Sequence, residues 1–198
     1  DVIGFAVGIA VSPVPIAAVI LMLFASKARV TGPSFLAGWL LGITLVVTAV
    51  LLVPGLGGES GEPSTTSGAI KGVLGLLLLV FAVRQWITRP RPGDETPTPK
   101  WMAGVDTMGG GGAAGLALLL TVLNPKNLVL AAAAATTIGA AEISTGETLL
   151  AVGLFIVLAS TTIAIPVVGY LIAGDRARPA LDSTKDWMIQ NNAAIMAV

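Results

Sequence analysis

The chain has 198 residues, of which 55% are hydrophobic and 11% charged, with a formal net charge of zero. A soluble domain carries about 25% charged residues, so this chain has too few to cover a water-facing surface. Cysteine and histidine are absent, which excludes disulfide exchange, thiolate and imidazole chemistry and most transition-metal sites, and no basic block points to nucleic acid.

The apolar residues come in continuous runs of about 20, the length at which a helix crosses about 30 Å of hydrocarbon. They do not alternate with polar residues, so helices are expected and not a barrel. Span one covers residues 2–25 and is interrupted by Ser12-Pro13-Val14-Pro15. It is too long and too apolar for a signal-peptide core, and no small-residue cleavage site follows it. Spans two and three cover 34–53 and 68–87. Span four covers 112–139 and is interrupted by Asn124-Pro125-Lys126-Asn127. Span five covers 148–173, and span six begins near Trp187. A first residue of Asp1 and an end inside the apolar run 193–198 are expected of a piece of a longer product.

The loop charges are sorted. Lys27 and Arg29 lie between spans one and two. Arg84, Arg89, Arg91 and Lys100 follow span three, and Arg176, Arg178 and Lys185 separate spans five and six. These are nine of the 11 basic residues, and alternating spans place them all on one side. The opposite loops hold Glu59, Glu62, Glu142 and Glu147, with Lys71 near the mouth of span three. By the positive-inside rule the basic side is cytoplasmic and both termini are extracytoplasmic. The stretch 89–100, rich in proline and charge, reads as a cytoplasmic linker. Residues 101–108 are either an interfacial helix or plain loop, and the glycines 109–112 are a hinge. The expected organisation is a first three-helix repeat over 1–88, a linker over 89–111, and a second repeat over 112–198.

The halves match at their unusual points. Ser12-Pro13 falls on Asn124-Pro125 at a spacing of 112, and the segment 31–37 falls on 145–151 at 114, which also sets Thr48 on Thr162. With three spans per half, the second copy enters the membrane from the opposite side. The predicted fold is therefore an all-α integral membrane protein of six transmembrane helices, a 3+3 inverted-topology repeat with helices one and four broken. Transporters of that design bind cargo near the midplane.

Lys126 lies roughly 20 Å along span four, too deep to snorkel to either interface. A charge there costs about 2.5–3.5 kcal/mol or more, so it requires a carbonyl, a water-filled cavity or an anionic ligand. Pro125 frees a carbonyl, and Asn124 and Asn127 bring amides. In span one Pro13 and Pro15 disrupt two helical hydrogen bonds and Ser12 supplies a hydroxyl. Broken helices aim amide donors at anions. The expected substrate-binding set is Lys126, Asn124, Pro125, Asn127, Ser12, Pro13 and Pro15; the alternative is a pair of proline kinks with Lys126 held by carbonyls. Thr44, Thr48, Thr161 and Thr162, beside Ser160, line an aqueous path or bond to their own helices. Gly4/Gly8, Gly38/Gly42, Gly68/Gly72 and Gly111/Gly115 have the spacing of close helix packing inside the bundle. Trp39, Trp86, Trp101 and Trp187 are expected as interfacial anchors. No carboxylate pair lies within a span, so neither a proton relay nor an enzyme is expected, and no cofactor or metal.

The Ser-Pro-Val-Pro break with the Asn-Pro-Lys-Asn break resembles the lysine-exporter (LysE) superfamily. Within it the chain is most similar to the actinobacterial glycolipid-addressing-protein (GAP) family, small proteins implicated in bringing glycolipids to the mycobacterial surface. The likeness covers nearly the whole chain, including the six spans and the polar linker. It implies an exporter in the bacterial inner membrane. Amino-acid exporters of that superfamily carry Gly-Pro where this chain has Ser12-Pro13, which points away from amino-acid cargo. The expected activity is flippase-like movement of an anionic lipid or glycolipid. The alternatives are export of a small amino-acid-like or inorganic anion, or a non-transporting accessory role in a lipid-export complex. Expected partners are membrane lipids and the amphiphile itself, in a homodimer or a larger complex.

Overall fold

Pro13 has no amide hydrogen to offer Ile9, and its ring pushes the preceding residue into extended backbone. In the computed structural model, which describes residues 1–52, 104, 107–177, 179 and 183, helix α1 (Val2–Ala10) stops short of it and α2 (Pro13–Phe24) restarts from it. Ser12 sits between them at φ −74° and ψ 112°, and the axis bends by 48°. Pro13 and Pro15 occupy the first turn of α2, where no intrahelical donor is needed. They therefore mark a restart.

Span four breaks in the same way. Helix α4 (Gly110–Val122) is followed by α5 (Pro125–Gly139), with Asn124 at φ −81° and ψ 110° and a bend of 69°. The two unbroken helices, α3 (Ala28–Leu52) and α6 (Thr145–Ala173), are each long and apolar enough to cross a membrane. The start of α6 is fixed by a capping box: Glu147 N donates to Ser144 Oγ at 3.4 Å, and Ser144 N donates to Glu147 Oε2 at 2.8 Å. Among the described residues there are six α-helices, one short 3-10 turn (Gly174–Ala177) and no strand. The chain is an all-helical, multi-pass membrane protein. Spans three and six, the linker 89–100 and most of 101–108 lie outside the described residues.

Span two differs from expectation at its start. It begins at Ala28, six residues before Ser34, and runs through Pro33. Gly32 precedes that proline and has no Cβ to clash with the ring, which relieves the usual bar to helix at this position. Thr31 Oγ1 donates to Lys27 O at 3.1 Å and reinforces the first turn.

The closest helix contact is between α3 and α4. A Cβ on Gly38 would collide with the Ala114 backbone, and one on Gly42 would stand 2.7 Å from Thr121 Cβ. The Gly38/Gly42 pair thus packs inside the bundle. A Cβ on Gly8 would be 2.8 Å from Leu130 Cδ1 of α5, whereas Gly4, Gly111 and Gly115 face open space. Helix α6 packs along α1 as α3 packs along α4, so each unbroken helix lies on the first segment of the other broken span.

Burial recurs along the chain as well. At a spacing of 112, Ile9/Thr121, Pro15/Asn127, Val19/Ala131, Met22/Ala134 and Leu23/Ala135 are buried at both positions, while Val7/Leu119 and Val11/Leu123 are exposed at both. In α3 and α6 the matching spacing is 113: Gly42/Phe155, Val46/Ala159 and Val47/Ser160 are buried, and Leu41/Leu154, Thr44/Val157 and Leu45/Leu158 are exposed. That is one less than the spacing read from sequence, and it sets Thr48 on Thr161 in place of Thr162.

Candidate functional site

A helix leaves its last four carbonyls without intrahelical partners, and a break in mid-span strands them away from water. Two side chains from distant parts of the chain take up such carbonyls here. Ala10 ends α1, and its carbonyl accepts a 2.6 Å hydrogen bond from Thr162 Oγ1 of α6. Leu120 lies in the last turn of α4, and its carbonyl accepts from Asn127 Nδ2 at 3.5 Å. The other end of the Asn127 amide closes the arrangement. Ser12 Oγ donates to Asn127 Oδ1 at 2.6 Å, with both residues only 1% exposed. The two breaks are therefore joined directly.

The first turn of α5 has its own cap. Asn124 Oδ1 accepts from the Lys126 amide at 3.1 Å. Pro125 is the first residue of the helix and Lys126 the second, so the ammonium belongs to a residue at the positive end of the α5 dipole. That position favours an anion. Lys126 is half-buried, as are Asn124 and Pro125. On the span-one side Pro13 is half-buried and Pro15 buried.

The structure thus brings Ser12 together with Asn127, and Asn124 with Lys126. It does not bring the four threonines together. Thr44 Oγ1 donates to Leu40 O and Thr161 Oγ1 to Leu158 O, each on its own helix. Thr48 is exposed. Thr162 alone reaches the junction.

One residue was misplaced by sequence reasoning. Trp39, expected at the interface, is 1% exposed in the bundle interior. Counted from Ser34 it stands near the mouth of span two, but α3 begins at Ala28 and Trp39 is close to its midpoint. Among the described residues its Nε1 has no hydrogen-bond partner, and neither does the buried Ser160 Oγ of α6.

A family model for the sulfolipid-1-addressing protein (described as "Sap, sulfolipid-1-addressing protein") matches residues 2–198, taking in both breaks and every helix described above. The chain belongs to the sulfolipid-1-addressing protein family. This is a glycolipid-addressing kind of family, and membership carries a role in sulfolipid or lipid addressing, compatible with lipid transport. Searches of curated proteins and of solved structures each found no match.

Proposed function

We propose that this protein moves an anionic lipid or glycolipid across the bacterial inner membrane, in the manner of a flippase, through a mid-depth site made by the two breaks. The carrying observation is the Ser12–Asn127 hydrogen bond, which joins the breaks and fixes the first turn of α5, with Lys126, at the same polar junction. A sulfolipid head group carries negative charge, and a lysine at a helix N-terminus is a fitting receptor for it. The flexible ammonium serves as a point charge that follows the anion as it moves.

Three observations support an inverted-topology repeat as the moving framework. The two break residues share one backbone conformation. Burial recurs at spacings of 112 and 113. Each unbroken helix packs on the other repeat's broken span. Rocking of the halves about the breaks would expose the junction to each side in turn. The charge sorting supports extracytoplasmic termini, and the Ser-Pro and Asn-Pro breaks support wider kinship with the lysine-exporter superfamily.

Lys126→Ala tests this reading, with two quantities measured on purified protein: movement of a fluorescent sulfated glycolipid across reconstituted liposomes, and melting in detergent. The expected result is transport lost and melting retained, because the charge contacts cargo and is not a packing element. Normal transport with depressed melting would make Lys126 structural and overturn the proposal. Movement of a small organic anion, with none of the lipid, would favour the small-anion exporter; no movement of either by the native chain would favour an accessory role.

A further inference from the structure

Helices α3 and α6 run antiparallel in contact. A Cβ on Gly32 would be 3.8 Å from Val167 Cγ1, and one on Gly174 would be 3.6 Å from the Arg29 guanidinium. Two helical turns, seven residues, preserve a helix face to within about 20°. Moving that far up α3 from Gly32 and down α6 from Val167 arrives at Trp39 and Ser160. Among the described residues these are the two whose buried side-chain polar atoms have no hydrogen-bond partner, and they are 1% and 2% exposed. Counted this way, the two unsatisfied polar groups fall at one level of the α3–α6 seam, near the middle of both helices.

Packing alone does not account for them. Buried polar atoms are nearly always bonded, and an unbonded one signals a role. Nor does the repeat demand polarity at this level. The spacing of 113 sets Trp39 on Val152 and Ser160 on Val47, so the corresponding place along the seam is apolar. Ser160 is two residues along α6 from Thr162, whose hydroxyl holds the end of α1.

We propose that Trp39 and Ser160 form a subsite for the uncharged, hydroxyl-bearing sugar of a glycolipid head group, beside an anion subsite at Lys126. The assignment rests on the transport reading above. It follows from the donor set. An indole N–H donates only, and a serine hydroxyl both donates and accepts. Together they match a ring hydroxyl with its neighbouring oxygen. An oxyanion in the same place would be buried far along α3 from Arg29, the cation at the end of this seam, a costly arrangement. The sugar reaches the pair when α3 and α6 part.

Thermal shifts of the purified chain in detergent with three probes test this: a sulfated monoglycosyl lipid, the same lipid without sulfate, and an alkyl sulfate without sugar. The native chain should be stabilised by all three, most by the first. Ser160→Ala should melt like the native chain without ligand, bind the sugar lipid about five- to tenfold more weakly, and bind the alkyl sulfate unchanged. Trp39→Phe should show the same selectivity, from a lower starting temperature because packing volume is lost. Undiminished sugar-lipid binding by both variants would overturn this inference and leave the transport reading intact. So would a marked loss of unliganded stability in Ser160→Ala, since it would show the hydroxyl bonded within the protein. Failure of the native chain to bind any probe would overturn the transport reading itself.

Discussion

Ser12 Oγ and Asn127 Oδ1 are 2.6 Å apart, so a hydroxyl from the break in the first span holds an amide from the break in the fourth. The two residues are separated by 115 positions and nearly devoid of solvent contact. Ser12→Ala and Asn127→Ala should each destabilise the protein by about 0.5–2 kcal/mol, the range for interhelical hydrogen bonds within membranes plus the penalty of a stranded partner. A double-mutant cycle on detergent melting should return a coupling of about 0.5 kcal/mol or more. Additive losses would mean that the pair does not act as one contact.

The Thr162 hydroxyl leaves its own helix, reaching Ala10 O at 2.6 Å. Thr162→Val should therefore lower stability by about 0.5–1.5 kcal/mol by orphaning that carbonyl. Thr44→Val and Thr161→Val remove only bonds to their own helix backbones and should be nearly neutral. Chemical denaturation of the three variants side by side provides the check.

Gly38 has no room for a methyl group, because the Ala114 backbone occupies the place of its Cβ. Gly38→Ala should force α3 and α4 apart and cost about 1–3 kcal/mol. Gly115→Ala, at a position with the same glycine spacing but open surroundings, should be neutral or slightly stabilising. Equal melting temperatures for the two variants would contradict the packing described.

The absence of cysteine makes topology directly measurable. Lys27 and Glu142 are both exposed, at ends of the bundle that the charge pattern assigns to opposite sides. An impermeant maleimide added to intact cells should label Glu142→Cys and should label Lys27→Cys only after lysis. The reverse pattern would invert the orientation.

The breaks were legible because they are local. Pro13 and Pro125 lack a donor and restrict the residue before them, whatever the rest of the chain does, and the structure breaks both spans one residue ahead of each. The membrane class was legible for a similar reason, since long uncharged runs have few alternatives. Helix starts were less so: Pro33 looks like a boundary, yet Gly32 before it lets α3 begin at Ala28.

By itself the sequence determined the helical membrane class, the positions of the broken spans and the lysine beside one of them. Backbone chemistry and bilayer thickness act on each segment separately, and no knowledge of neighbours is needed. Only the tertiary structure decided that Ser12 bonds Asn127, that Thr162 and not Thr48 reaches a broken end, that Gly38 packs while Gly115 does not, and that Trp39 and Ser160 are both buried in the interior. Helices α3 and α6 are apolar on every side, so no amphipathic stripe marks the face that turns inward. In lipid that choice rests on shape and on stray hydrogen bonds between residues more than 100 positions apart, and periodicity along one helix carries no record of it.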